Sequence, residues 1–186
     1  MIPEIGHFML WLALGVALVL GTLPLAGAVR GRTDWMQLAR PATYVLFVLV
    51  VAAMACLAAS FIRHDFSVLY VATNSNTALP LEYRVAGVWG GHEGSLLLWM
   101  LMLSGWMVAV ARFSRNLPLP VLARTLAVMG LVSVGFLLFT LTTSNPFDRL
   151  FPVPADGRDL NPLLQDPGMV LHPPLLYMGY VGFSVA

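Results

Sequence analysis

The sequence predicts an all-α polytopic membrane protein with four complete transmembrane helices and the start of a fifth. Hydrophobic residues make up 59% of the 186 residues and charged residues only 10%, whereas a soluble globular domain carries about 25% charged residues. Four stretches reach the roughly 20 mainly apolar residues that a helix needs to cross a bilayer. The alternative, a soluble domain with a very apolar core, would lack the polar surface that such a domain presents to water.

The four complete spans are predicted at about residues 5–29, 42–62, 95–111 and 121–143. An Ala-Gly-Ala sequence near the end of the first stretch resembles a signal-peptide cleavage site, but Glu4 and no basic residue precede the stretch. Because a signal peptide needs a positively charged leader, we predict that this stretch is retained as the first span.

A fifth apolar stretch is predicted at residues 173–186 and is too short for a complete span. A helix that ended within the hydrocarbon would leave its last carbonyl groups without hydrogen-bond donors, which costs several kcal/mol for each group. We therefore expect the natural protein to continue past Ala186, or the sequence to be a piece of it. Residues 1–186 are predicted to form the N-terminal portion of one polytopic membrane domain.

The arginine residues predict the orientation of the spans. Three arginines follow each of the first and third spans, and two follow each of the second and fourth (Arg30, Arg32, Arg40; Arg112, Arg115, Arg124; Arg63, Arg84; Arg149, Arg158). Because basic residues favour cytoplasmic loops, the N-terminus and the loops at about 63–94 and 144–172 are predicted to be periplasmic. These two loops are also the long ones, and long loops on a rigid scaffold often carry function, so we expect the functional face to be periplasmic.

Several function classes are disfavoured by the motifs that the sequence lacks. Cys56 is the only cysteine, so the chain forms no intrachain disulfide, and it has no C-x-x-C-H sequence for attaching a haem covalently to itself. No P-loop, G-x-S-x-G sequence, pair of catalytic carboxylates or zinc-ligand spacing is found. The formal net charge of +1 by itself says nothing about nucleic acid. The expected surroundings are membrane lipid, and no nucleic-acid partner is predicted.

One group of candidate residues lies where the third span begins. The sequence from Trp89 to Trp99 contains glycines, a His92-Glu93 pair and flanking tryptophans. Glycine permits backbone conformations that other residues resist, so this region is compatible with a re-entrant turn as well as a regular helix start. Cofactor binding by Trp89, His92 and Glu93 is one interpretation, and an interfacial belt of tryptophan with a polar cap is the other.

A second group of candidate residues precedes the fifth stretch, between Asp166 and Tyr177. A residue before proline is disfavoured in the helical region and proline is favoured in the first helical turn. The sequence His172-Pro173-Pro174 therefore predicts that His172 lies at or just before the start of the fifth helix, at the outer membrane surface. A neutral imidazole there is a suitable ligand for a metal or a haem iron. The alternative is a histidine that only caps the helix or marks the membrane interface.

The remaining histidines, His7 and His64, are interpreted as interfacial residues. His7 lies near the N-terminus, and His64 follows the second span beside Asp65. Neither belongs to a recognisable group of ligands, so no role in binding is predicted for them.

At the two candidate groups the sequence resembles the N-terminal part of the CcmF/NrfE family, which comprises large membrane subunits of the bacterial cytochrome c maturation machinery. The matching stretches are residues 1–6, 70–77, 89–99, 143–147 and 157–182, in this order along the whole chain. The last stretch, which begins Gly-Arg-Asp-Leu-Asn-Pro-Leu-Leu-Gln-Asp-Pro-Gly, is long and specific.

The resemblance implies a haem lyase subunit of cytochrome c biogenesis in the bacterial inner membrane. Such proteins receive haem from a periplasmic haem chaperone (CcmE-like) and promote its thioether attachment to the C-x-x-C-H thiols of apocytochrome c, which CcmH/CcmI-like subunits present. The resemblance also implies that His172 is an axial ligand of the haem iron on the periplasmic side, with haem b as substrate or cofactor. Trp89, His92 and Glu93 are weaker candidates for the same cofactor.

The sequence departs from the family pattern in one respect and leaves two other functions open. The tryptophan-rich segment of the family is absent, and the second periplasmic histidine and two transmembrane histidine ligands are expected beyond Ala186. One alternative function is a proton-coupled membrane transporter, suggested by His92 and Glu93 at the start of a span. The other is a non-catalytic membrane scaffold of the assembly complex.

Overall fold

The computed structural model describes residues 1–183, and within that range the protein is helical except for loops and one pair of bridged residues, Val68 and Arg149. The α-helices are α1 (Ile2–Arg30), α2 (Thr33–Gln37), α3 (Ala39–Ile62), α4 (Leu69–Asn74), α5 (Leu81–Gly87), α6 (His92–Phe113), α7 (Leu119–Thr142) and α8 (Pro167–Gly182). A 3-10 helix, η1 (Pro162–Gln165), precedes α8.

Four helical segments are long and apolar enough to cross a membrane. They are α1, the nearly continuous pair α2 and α3, α6 and α7, and the shortest of them has 22 residues. At about 1.5 Å per residue, even that helix exceeds the roughly 30 Å of a hydrocarbon core. The protein is therefore a multi-pass membrane protein. The predicted all-α architecture of four transmembrane helices and the start of a fifth, α8, is confirmed.

Helix α1 is central in the bundle and packs along both α3 and α7, while α6 packs against α3, α7 and α8. The fully buried side of α1 carries small and branched apolar residues at helical spacing (Leu10, Ala13, Ala17, Leu20). Residues three and four apart share one face of a helix, so this face forms the seam of the bundle. Large apolar residues on the outer faces of the helices, such as Trp11, Val48 and Val128, are exposed and would contact lipid.

The two ends of the bundle differ in structure. One end, which we call the loop face, consists of residues 63–91 and 143–166 together with the first turn of α1. The opposite end, the short-turn face, consists of residues 31–38 and 114–118. The candidate residues at the beginnings of α6 and α8 lie at the loop face.

The two long segments of the loop face are bound to each other. Three backbone hydrogen bonds join them: Leu69 N–H to the Asp148 carbonyl at 2.8 Å, Leu150 N–H to the Ser67 carbonyl at 2.9 Å, and Arg158 N–H to the Ala72 carbonyl at 2.8 Å. Arg149 also pairs with Glu4 of α1 and lies 3.7 Å from Asp65. These bonds make the loop face one folded layer that covers the ends of the spans.

Helix α8 begins at Pro167, before the start at residue 173 that the sequence predicts. The Asp166 carboxylate accepts hydrogen bonds from the Gly168 N–H at 2.8 Å and the Met169 N–H at 3.2 Å. Asp166 is thus the N-cap and Pro167 the first helical residue, which are favoured positions for these two residue types. The prediction that His172 lies at or before the helix start is therefore wrong, because the helix already includes it.

Helix α6 has a regular start at His92, and the re-entrant turn considered for this region is not formed. Gly91 is the N-cap in an extended conformation, with φ −127° and ψ 178°. Residues 88–90 form successive turns that continue from α5. The glycines of this region serve close packing, as described below.

Candidate functional site

His172 is exposed on α8, in the second turn of the helix. Residues three and four positions away lie on the same side of a helix, and for His172 these include Met169, Leu175 and Leu176, which are 43%, 65% and 47% exposed. Among residues 1–183 no hydrogen bond, ion pair or ring contact to the His172 imidazole is found. The structure thus presents an unpartnered imidazole on an exposed apolar surface.

Trp89 contacts the same helix from the end of α5. Its side chain is half-buried, and its indole Nε1–H donates to the Val170 carbonyl at 3.1 Å. Val170 lies two residues before His172, so Trp89 is attached to the first turn of α8. Trp89 and His172 are therefore parts of one local structure, although no direct contact between their side chains is found within the described residues.

Two further tryptophans, both in α6, bind α8 along its length. The Trp99 ring stacks on Tyr177 with a centroid distance of 5.6 Å and an interplanar angle of 13°. The Trp106 indole donates to the Met178 carbonyl at 3.0 Å. Most of α8 is otherwise exposed, and Val181 is its only buried residue within the described part of the helix. The tryptophans therefore account for much of the attachment of this helix.

His92 makes its contacts with α7 and the segment that follows it. Its Nδ1 lies 3.0 Å from the Ser144 hydroxyl, and its ring meets Phe139 edge-on at a centroid distance of 6.0 Å. No contact between His92 and His172 is found in the described part of the chain. His92 and His172 therefore do not belong to one group of contacting residues.

Glu93 is half-buried and lies on the side of α6 that approaches Tyr70. The buried Tyr70 hydroxyl accepts the Gly91 N–H at 2.8 Å and lies 3.2 Å from the carbonyls of Gly87 and Val88. Burial raises the pKa of Tyr70, and the nearby Glu93 carboxylate raises it further. Tyr70 therefore stays neutral and acts as a structural centre for the turn that carries the candidate residues.

The glycines before and within the first turn of α6 allow close contacts with this centre. A Cβ atom on Gly91 would lie 2.7 Å from Tyr70 Cε2, and one on Gly94 would lie 1.7 Å from the Val88 carbonyl oxygen. A side chain on Gly94 would have to displace the Val88 backbone, and one on Gly91 would have to displace the buried Tyr70 ring. The glycine-rich sequence is thus explained by packing and needs no cofactor.

A polar group at the start of α1 is not predictable from the sequence. Trp11 Nε1–H donates to His7 Nε2 at 2.8 Å, and His7 Nδ1 lies 3.2 Å from Nδ2 and 3.4 Å from Oδ1 of Asn145. His7 and Asn145 are 138 positions apart, and no local pattern connects them. Within the described residues no group of three or more His, Cys, Asp or Glu side chains is arranged to hold a metal ion.

Comparison with known proteins matches the chain to longer bacterial proteins. It is 63% identical to the cytochrome c-type biogenesis protein CcmF of Pseudomonas aeruginosa and 60% identical to that of Escherichia coli, in both cases over 100% of this chain. The chain spans 28% and 29% of the lengths of these two relatives.

A solved structure and a family model agree with these relatives. The structure, described as the cytochrome c haem lyase CcmF, superposes with a TM-score of 0.84 at 28% identity, covering 100% of this chain and 29% of the other. The model described as "Cytochrome C assembly protein" matches residues 89–186, which include both groups of candidate residues. The match covers more than half of the sequence, and the chain belongs to the cytochrome c assembly protein family.

Proposed function

We propose that this chain belongs to a haem lyase subunit of cytochrome c biogenesis, and that His172 is an axial ligand of the haem iron. In this function the protein receives haem from a CcmE-like periplasmic chaperone and promotes its thioether attachment to the C-x-x-C-H thiols of apocytochrome c. The observation that carries the proposal is the unpartnered His172 imidazole on an exposed apolar surface, in a chain of the cytochrome c assembly protein family.

The residues around His172 fit a haem. A neutral imidazole is a common haem ligand, and an imidazole without a hydrogen-bond partner is free to bind iron through either nitrogen. The porphyrin ring is largely apolar, and the exposed side chains of Met169, Leu175 and Leu176 offer it an apolar surface. Gly179 lies two helical turns beyond His172, and the space around its Cα is open, so a flat ring can approach the helix there.

The part of His172 in the reaction is positioning. A bound haem supplies two vinyl groups, and each cysteine thiol adds across one of them, so that a C–S bond forms, the thiol proton passes to the other vinyl carbon and no net electron is transferred. His172 would fix the iron and therefore the plane and edge of the porphyrin relative to an incoming peptide. Holding reactants in a productive geometry can contribute several kcal/mol to a rate.

The distribution of charge supports an orientation in the bacterial inner membrane with the loop face in the periplasm. The short-turn face and the helix turns beside it carry six arginines and one acidic residue, whereas the loop face and the helix turns beside it carry four arginines and eight acidic residues. Arginine favours the cytoplasmic side. This orientation would place His172 where a periplasmic chaperone and CcmH/CcmI-like subunits with their apocytochrome can reach it.

The first test is His172→Ala in the full-length gene product. Loss of an axial ligand should abolish the haem absorption that depends on this site and reduce mature c-type cytochrome at least tenfold, while the protein still inserts at normal levels. Haem spectra of the purified protein and haem staining of cellular cytochromes measure the two effects. His64→Asn is a matched control on the loop face, because asparagine tolerates the positive φ of 54° at that position. Normal haem content in His172→Ala would refute the ligand assignment.

The same measurements separate the alternative functions. A non-catalytic scaffold would be colourless when purified, and His172→Ala would then change nothing. A proton-coupled transporter needs ionisable groups within the membrane, but in the four described membrane helices the charged residues of α1, α3, α6 and α7 lie within the first or last two turns. His92 and Glu93 are also near a helix end, and His92 contacts the Ser144 hydroxyl, so no observation favours transport.

A further inference from the structure

Helix α8 contains an unusual local sequence, because two consecutive prolines follow His172 inside the helix. Proline has no backbone N–H, so it cannot donate to the carbonyl four residues before it. Pro174 therefore leaves the Val170 carbonyl without its normal helical donor. An unsatisfied carbonyl so close to the start of a helix would weaken the turn that carries His172.

The Trp89 indole supplies a donor to this carbonyl. Its Nε1–H lies 3.1 Å from the Val170 oxygen, which is a normal length for an N–H···O bond. The bond replaces, from another part of the chain, the backbone bond that Pro174 removes. It is the only described hydrogen bond from the segment before α6 to the first turn of α8.

The backbone N–H and the backbone carbonyl of Trp89 are both hydrogen-bonded. Its N–H donates to the Ala86 carbonyl at 3.3 Å, and its carbonyl accepts the Ser95 hydroxyl at 2.9 Å. The adjacent Gly90 packs so closely against η1 that an added Cβ would lie 3.0 Å from Leu164 Cδ1. The indole therefore projects from a fixed turn and has a defined direction.

The geometry of the helix places this bond on the side opposite His172. Residues two apart are separated by about 200° around a helix, so Val170 and His172 lie on nearly opposite sides. The burial pattern agrees, since Val170 and Pro174 are half-buried and His172 is exposed. The bond to Val170 fixes the half-buried side of this turn. It therefore sets the direction in which the His172 ring points on the exposed side.

We infer that Trp89 is a positioning residue for His172, and that it acts by donating its indole hydrogen to the carbonyl left free by Pro174. This inference rests on the proposed function of His172 as a haem ligand. It assigns Trp89 no contact with the haem, in contrast to the expectation from the sequence, in which Trp89 is a weaker candidate for binding the cofactor itself.

The test is a double-mutant cycle between Trp89→Phe and Pro174→Ala in the full-length protein. Phenylalanine keeps an aromatic ring but removes the N–H, and alanine returns a backbone donor to the Val170 carbonyl. The probe is haemin, titrated into purified protein and followed by the Soret absorption. Trp89→Phe should weaken haemin binding about tenfold, roughly the value of one hydrogen bond. Pro174→Ala alone should bind normally, and the double variant should return to within about twofold of the wild type.

Trp106→Phe is the matched control. It removes an indole donor to the same helix, but the carbonyl it serves, that of Met178, keeps a possible backbone donor in Gly182 because that residue is not proline. Trp106→Phe should leave haemin affinity within about twofold of the wild type. A tenfold loss in this control would mean that any weakening of the α8 attachment reduces binding, and would overturn the specific role of Trp89.

The remaining outcomes distinguish this inference from the function on which it rests. If His172→Ala binds haemin normally, the proposed ligand is wrong. If His172→Ala weakens binding while Trp89→Phe does not, or if the loss in Trp89→Phe persists in the Pro174→Ala background, the ligand stands and the positioning role is refuted. If Trp89→Phe fails to accumulate in membranes, the double variant must restore its level, and failure to do so also refutes the inference.

Discussion

At the scale of single residues, the best-defined centre of the loop face is the Tyr70 hydroxyl. The Tyr70 ring meets Phe61 of α3 edge-on at a centroid distance of 5.4 Å. The Tyr70 hydroxyl accepts the N–H of Gly91, which precedes α6. The ring and the hydroxyl of one buried tyrosine therefore connect α3, α4 and the turn that carries Trp89. A buried N–H that loses its only acceptor costs more than an average hydrogen bond contributes.

Tyr70→Phe should therefore destabilise the protein by about 1–3 kcal/mol, because it leaves the Gly91 N–H without an acceptor. Thermal unfolding of the purified protein in detergent measures the effect. Tyr44→Phe is the control, since Tyr44 is exposed on α3 and its hydroxyl bonds to no group among the described residues. Equal unfolding temperatures for Tyr70→Phe and the wild type would contradict the assigned role.

The raised pKa of Tyr70 also predicts a dependence on pH. The unfolded chain ionises this hydroxyl near pH 10, whereas the folded protein keeps it neutral to higher pH because it is buried. The stabilisation is therefore complete below about pH 10 and is lost as the pH rises above that value. Stability measured between pH 8 and pH 11 should fall more steeply for the wild type than for Tyr70→Phe. Parallel curves would show that Tyr70 ionises normally in the folded state.

At the scale of helices, hydropathy predicted the long spans well because a membrane helix must be apolar along its whole length. The start of α8 was predicted wrongly, although the sequence contains the correct signal. Asp166-Pro167 is a favourable N-cap followed by a favourable first residue, but the prolines after His172 resemble a helix start as well and lead to the wrong prediction. A proline within a helix is tolerated when another group satisfies the freed carbonyl, and here that group is the indole of Trp89, which lies 81 positions away.

The contact between α1 and α7 depends on two facing glycines. A Cβ on Gly130 would lie 3.0 Å from Leu20 Cγ and 3.1 Å from the backbone nitrogen of Gly21. Small residues allow membrane helices to approach closely and gain contact. Gly130→Val should therefore separate the helices and cost about 1–3 kcal/mol, as overpacking does.

Thermal unfolding in detergent tests this helix contact, with Gly135→Val as the control. Gly135 lies in the same helix, but an added Cβ there meets no atom within 4 Å. Both substitutions change helix propensity equally, so the difference between their unfolding temperatures reports on the contact between α1 and α7. An unfolding temperature for Gly130→Val as high as that for Gly135→Val would show that the helices are not held at this separation.

At the scale of the whole molecule, the sequence alone could not predict how the loop face folds. The hydrogen bonds between residues 63–91 and 143–166 join positions about 80 apart, and pairing of that kind leaves no periodic signal in hydropathy. The Thr77 hydroxyl and N–H both bind the Asp156 carboxylate, at 2.8 and 3.0 Å. These bonds lower the pKa of Asp156. The candidate site therefore depends on two distant segments, and only its individual residues were recognisable beforehand.

The charge difference between the two ends predicts the orientation of the entire bundle, and this can be measured directly. In a Cys56→Ala background, Ala78→Cys places a single exposed thiol on the loop face and Asn116→Cys places one on the short-turn face. Because the arginine-rich short-turn face is expected in the cytoplasm, a membrane-impermeant maleimide added to cells with a permeabilised outer membrane should label the Ala78→Cys variant alone. The Asn116→Cys variant should react only after the inner membrane is lysed, and that reaction is the control for its accessibility. The opposite pattern would place His172 on the cytoplasmic side, where a periplasmic haem chaperone cannot reach it, and would refute the proposed function together with the orientation.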